Sequence, residues 1–178
     1  PKGRVLMNPP LFCCDVPRWS PDSRFVLYTE YDDGARKCLQ LRKMDIESRE
    51  VTKITGKGTP SESQKVCVFP ESAKWSPDGS TIAFVEDGTL SGRYRVHLVS
   101  PDGSNPRPLL PDDSFNGAGW DSGEFAWSPD GKALIFDVAM DSGSVGLFVS
   151  PADGSEVLQV KVPTIALAIS GLAWAPGS

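Results

Sequence analysis

One histidine, His97, stands in 178 residues, and the four cysteines form no CxxC pair. A zinc site of the usual Cys/His spacing and a c-type haem attachment are therefore excluded. No Gly-x-Ser-x-Gly elbow is present, and a lone His without an evident Ser and Asp partner makes no triad, so the chain reads as non-catalytic. No Lys-Ser/Thr follows Gly117-Ala118-Gly119, which rules it out as a phosphate loop. The longest apolar run, Ile165 to Ile169, is far too short to cross a bilayer. The chain opens on Pro1 rather than Met, which reads as a processed or trimmed polypeptide whose start would have held any targeting signal.

Positive charge is also scarce where nucleic acid would need it. Residues 1–66 carry 12 Lys/Arg against 9 Asp/Glu, whereas residues 67–178 carry 6 against 14. An acidic majority argues against nucleic-acid binding, which requires a concentrated cationic surface. The basic excess at the N-terminal end suits an acidic partner or, more plainly, a solvated outer strand. Cysteine is confined to Cys13, Cys14, Cys38 and Cys67. Adjacent Cys13 and Cys14 bond to each other only with strain, so pairing of one with Cys38 or Cys67 is the better disulfide, and buried free thiols serve as well.

What the chain does have is a repeat. Trp-Ser-Pro occurs at Trp19-Ser20-Pro21, Trp75-Ser76-Pro77 and Trp127-Ser128-Pro129, with a worn copy at Trp174-Ala175-Pro176, at spacings of 56, 52 and 47 residues. An Asp follows each of the first three, then an apolar run: Phe25 to Tyr28, Ile82 to Val85 and Leu134 to Phe136. Repetition at this period with strand and turn chemistry indicates propeller blades. Pro presets the first corner of the turn, Asp bonds back to local amides, and Gly accepts positive φ. Ser23 stands where Gly79 and Gly131 stand, at a cost of about 1 kcal/mol if that corner is left-handed.

Each unit divides into four strands. In the second these are Ser72–Trp75, Thr81–Val85, Tyr94–Val99 and a short edge near Arg107–Leu110; the third gives Phe125–Trp127, Ala133–Val138, Gly146–Val149 and Val157–Val162. In the first, Asp32-Asp33-Gly34 is the hairpin and Cys38–Ile46 the third strand. Strand two is apolar on consecutive residues, the pattern of a sheet covered on both faces. The motif tryptophans read as core. The resulting fold is all-β, a partial β-propeller of four-stranded antiparallel blades with three full blades plus one inner strand. Its segments are 1–13 (N-terminal), 14–66, 67–118 and 119–164 (blades), and 165–178 (inner strand of a fourth blade).

The chain resembles TolB-like β-propeller repeats, whose units carry Trp-Ser-Pro-Asp-Gly and an Ile-Ala-Phe strand, as Trp75 to Val85 does here. The resemblance covers about residues 14–178. It implies that each Trp-bearing strand lies innermost and the last strand of each unit outermost. The same repeat occurs in propellers of prolyl oligopeptidase-like enzymes. Such rings close with six or seven blades, so the chain reads as part of a longer propeller, or as an open arc covered by a partner.

Candidate binding residues are few. Phe115 and Trp120 lie in a connector and suit a protein contact. Arg36, Lys37, Arg42 and Lys43 flank Leu39 and Leu41 on one strand, either facing a partner or guarding an edge. Asp112, Asp113 and Asp121 match no calcium motif, and Arg93, Arg95 and His97 share one side of a strand, best read as a polar outer face. No cofactor and no metal are expected. The leading expectation is a non-catalytic interaction module, exported or periplasmic by resemblance, docking on a protein or a larger membrane-associated assembly. The alternatives are the propeller of a prolyl oligopeptidase-like hydrolase whose catalytic domain lies elsewhere, and a sugar- or metal-binding propeller.

Overall fold

The structure, a computed structural model, describes residues 17–31, 39–55, 68, 72–86, 95–110, 124–139, 145–161 and 174. Twelve strands form three antiparallel four-stranded sheets, each in sequence order. The first holds β1 (Arg18–Trp19), β2 (Phe25–Tyr31), β3 (Leu39–Asp45) and β4 (Val51–Lys53). The second holds β5 (Lys74–Trp75), β6 (Ile82–Glu86), β7 (Arg95–Val99) and β8 (Arg107–Pro108). The third holds β9 (Phe125–Trp127), β10 (Ala133–Ala139), β11 (Val145–Pro151) and β12 (Leu158–Val160). These are the blades of a partial β-propeller. No helix occurs among the described residues, so none is long and apolar enough to cross a membrane.

The repeated tripeptide builds the same pin three times. Ser20, Ser76 and Ser128 donate their hydroxyls to Asp22, Asp78 and Asp130 at 2.5, 2.6 and 2.6 Å. The same oxygens accept the amides of Phe25, Thr81 and Ala133, where the second strand begins. Each Asp also accepts an amide two residues on, from Arg24, Ser80 and Lys132. Gly79 and Gly131 sit at φ 73° and 71°, and Ser23 sits at 59°, so the first turn does carry a non-glycine residue in left-handed backbone.

Strand two is buried on both faces, as its unbroken apolar run requires: Ile82, Ala83, Phe84 and Val85 are all inaccessible. The cores lie between blades rather than within them. Leu27, Leu41 and Ile54 of the first blade pack with Ile82, Phe84 and Val99 of the second. Ala83, Val85, Val96 and Leu98 of the second pack with Phe125, Leu134, Phe136 and Phe148 of the third. Burying one such Phe or Leu contributes about 1.5–3 kcal/mol.

Two sequence expectations change. The first strand of blade two is Lys74–Trp75, shorter than Ser72–Trp75, because the Ser72 hydroxyl takes the Val85 amide at 3.0 Å in place of a backbone carbonyl. In the third blade the backbone carbonyl of Glu124 holds the equivalent place, opposite Asp137. The motif tryptophans are not uniformly core. Trp75 and Trp127 pack against the two clusters, whereas Trp19 is 56% exposed. Trp75 and Trp127 pack at the seams with the preceding blade, whereas Trp19 belongs to the first described blade. Cys13, Cys14, Cys38 and Cys67 and the Asp32-Asp33-Gly34 hairpin lie outside the described residues.

Candidate functional site

The blades meet through backbone as much as through side chains. The Trp127 indole N–H donates to the Lys74 carbonyl at 3.3 Å, one residue before Trp75. Trp174 repeats this on Ala126, one residue before Trp127, at 3.2 Å. Trp127 and Trp174 thus each reach the inner strand of the preceding blade. Turn glycines add a second stitch. A Cβ at Gly103 would come within 2.9 Å of the Lys53 and Ile54 carbonyl oxygens, and one at Gly154 would overlap the Leu109 carbonyl oxygen. Both glycines also have positive φ, 82° and 74°, so the close approach and the turn demand the same residue. Arg107 of blade two reaches across to the Ala152 carbonyl of blade three.

Strands β1 and β5 adjoin across the first seam. This is where sheets radiating from an axis converge, so the Trp-bearing strands lie at the inner rim. The residues immediately before Trp19 and Trp75 are both basic: Arg18 and Lys74. The Lys74 ammonium donates to the Phe125 carbonyl and sits 4.7 Å from the centre of the Phe125 ring. Burial pushes its pKa below the usual 10.5; nearby Glu124 opposes that shift and the Arg18 charge adds to it. Arg18 Nε is shut off from solvent without a hydrogen-bond partner, and so is the Trp75 indole N–H. Sequence reasoning passed over this pair. Its available signal was a basic residue before the Trp in two consecutive repeats, replaced by Ala126 and Ala173 in the next two.

Of the residues singled out from sequence, Phe115, Trp120, Arg36 and Lys37 lie outside the described residues. Arg42 is buried. Its guanidinium is 3.5 Å from Glu30 Oε2, and it donates to the Leu41 carbonyl at 3.3 Å and the Thr55 carbonyl at 3.5 Å. Lys43 lies 4.7 Å over the Phe25 ring, whose surroundings also include the Arg24 guanidinium at 4.9 Å. The structure therefore does not bring Arg42 and Lys43 together as one cationic patch. His97 is engaged within its own sheet. Its Nε2 is 3.1 Å from Glu86 Oε2, and its ring stacks on Phe84 with centroids 5.5 Å apart. Arg93 and the acidic connector with Asp112, Asp113 and Asp121 lie outside the described residues; among those described, no three His, Cys, Asp or Glu cluster as metal ligands.

Solved structures share this arrangement of blades. TolB from Acinetobacter baumannii aligns over 80% of this chain and 31% of its own, with 19% identity and a TM-score of 0.56. A putative TolB from Agrobacterium tumefaciens aligns over 79% and 46%, with 23% identity and a TM-score of 0.57. The fold is TolB-like. A Mycobacterium tuberculosis puromycin-hydrolyzing peptidase aligns over 86% of this chain and 23% of its own, at 16% identity and a TM-score of 0.61. The chain spans less than half the length of each of these proteins. No family model matches it. TolB-like blades therefore serve both a TolB and a peptidase, and at these identities the likeness speaks for fold alone.

Proposed function

We propose that this TolB-like propeller segment is a non-catalytic interaction module, exported or periplasmic, that docks on a protein within a larger membrane-associated assembly. The observation that carries the reading is the use of its polar groups. Ser20, Ser76 and Ser128 with Asp22, Asp78 and Asp130 are committed to turn pins, and His97 is committed to Glu86. With seams held by indole-to-carbonyl bonds and glycine contacts, the blades form a stiff frame for a docking partner. The likeness to two TolB structures supports export.

Native mass spectrometry of the protein isolated gently from its source tests this. A complex of fixed stoichiometry that dissociates on mild disruption supports docking. A stable free monomer under the same conditions overturns it. A second reading, the propeller of a prolyl oligopeptidase-like hydrolase, is favoured by the likeness to the puromycin-hydrolyzing peptidase. A Gly-x-Ser-x-Gly strand-turn-helix segment in the same gene would establish that reading in place of the first.

A further inference from the structure

We propose that the inner edge of the seam between the first two blades binds a small oxyanion, a carboxylate or a phosphate, through Arg18 and the Trp75 indole N–H, with the charge of Lys74 nearby. Arg18 and Lys74 occupy the same place in consecutive repeats, on the adjoining strands β1 and β5. The fold thus sets two cations side by side at its narrow edge. Arg18 Nε and Trp75 Nε1, on those same two strands, are buried donors that no acceptor meets. Such a donor is costly when left unmade, and native structures rarely tolerate one without a reason. Here two occur on adjoining strands, and both lack an acceptor.

An oxyanion supplies it. Its oxygens offer several lone pairs, enough for a guanidinium N–H and an indole N–H at once, and its charge offsets the repulsion between Arg18 and Lys74. The Lys74 ammonium is held on the Phe125 carbonyl of blade three and adds its charge to that of Arg18. Arg18 Nε meets no acceptor among the described residues. The next seam shows what a filled arrangement looks like. There Ala126 replaces the basic residue, and the Trp127 indole has its carbonyl on Lys74. The unmet donors are a property of the first seam, not of the repeat. The inference goes beyond the docking reading and stands without it, since a free phosphate would occupy the site with no protein partner.

The test is calorimetric titration and thermal melting of the purified protein in chloride buffer at fixed ionic strength. The two probes are inorganic phosphate and an end-blocked glutamate peptide. At least one should bind saturably and raise the melting temperature beyond an equal ionic strength of sodium chloride. Arg18→Met should weaken that binding tenfold or more while leaving the ligand-free melting temperature unchanged or higher, because an unmet donor is removed. Binding of phosphate alone identifies a free anion as the ligand, and binding of the peptide alone identifies an acidic side chain. Lys74→Met should weaken binding too but also lower the melting temperature, since it loses its Phe125 contacts; Arg18→Met carries the test should that variant not fold. The site is overturned if neither probe exceeds the chloride control, or if Arg18→Met binds as the wild type does.

Discussion

At the seam between blades two and three, the Trp127 indole has the Lys74 carbonyl, Lys74 has the Phe125 carbonyl, and Arg107 has Ala152. Three phenylalanines, Phe125, Phe136 and Phe148, fill the core there, with Phe136 and Phe148 stacked at 6.2 Å. At the seam between blades one and two the same architecture leaves the Trp75 indole and Arg18 Nε unmet, and Phe84 is the one phenylalanine in the cluster. The turn pins of the three blades are nearly superposable in their bonding. What differs is the handful of residues that face across. Repetition therefore fixes each blade locally and leaves the seams free to diverge.

The sharpest way to break this comparison is through the seam glycines. Gly154→Ala would drive a methyl group into the Leu109 carbonyl and force alanine to φ 74°, and should cost about 2–4 kcal/mol in urea unfolding. Gly103→Ala meets the Lys53 and Ile54 carbonyls less closely, at 2.9 Å, and should cost about 1–3 kcal/mol. Gly79→Ala, with only Pro21 at 3.6 Å, isolates the backbone term at about 1 kcal/mol. If Gly103→Ala proved the most damaging, the first seam would be the tighter one and the ordering argued above would fail.

Next in size is the tryptophan pair. Trp127→Phe removes the indole hydrogen bond to the Lys74 carbonyl, whereas Trp75→Phe removes a donor that meets no acceptor among the described residues. Both lose similar ring area, so in chloride buffer Trp127→Phe should be the more destabilising by about 1 kcal/mol. Equal costs would mean that the indole hydrogen bond adds nothing to the packing of the rings.

The turns offer a smaller effect, in the opposite direction. Ser23 holds φ 59° and its hydroxyl makes no hydrogen bond among the described residues, so Ser23→Gly should stabilise by about 0.5–1 kcal/mol. Unfolding of this variant beside Gly79→Ala measures the same corner in two blades from opposite sides. The carboxyls of Asp22, Asp78 and Asp130 are held below 3.8, first by the Ser hydroxyl and then by the local amide. Because the folded values are depressed, this contribution is present above 3.8 and fades as pH falls through the lower folded values. Asp78→Asn should therefore flatten the acid limb of a stability–pH curve, and only modestly, since these groups face solvent.

These turns were also the most legible part of the sequence. A Ser-Pro-Asp-Gly corner is decided by residues within five positions, so the pins, the left-handed corner at Ser23 and the buried second strands all follow from local chemistry. The strands Phe125–Trp127 and Arg95–Val99 fall where alternation and turn spacing put them, give or take a residue. The seams were not legible. That Trp127 would meet a carbonyl 53 positions away depends on how one sheet is set against the next, and no local pattern encodes that angle. The exposure of Trp19 escaped for the same reason. Trp19 and Trp127 both open a Trp-Ser-Pro-Asp turn, yet Trp19 is exposed and Trp127 packs against a cluster. Arg18 and Lys74 were visible as letters but not as a pair.

The smallest expected effect is the most direct probe of that pair. Lys74 is buried at the inner rim, and its folded pKa is lowered from 10.5 chiefly by that burial. Between the folded value and 10.5 the unfolded chain binds more protons than the folded one, so stability should rise with pH across that alkaline window. Denaturant midpoints measured through it should climb for the wild type relative to Lys74→Met, the raised Tyr28 phenol lowering both alike above 10.0. Arg18→Met should shift the start of the climb to higher pH, because it removes a neighbouring positive charge that helps hold the lysine pKa down. A bound oxyanion would act the same way, favouring the charged lysine, so adding phosphate should reproduce in the wild type part of what Arg18→Met does. A climb unmoved by Arg18→Met would mean that the two cations do not sense each other, and that the first seam differs from the second in packing alone.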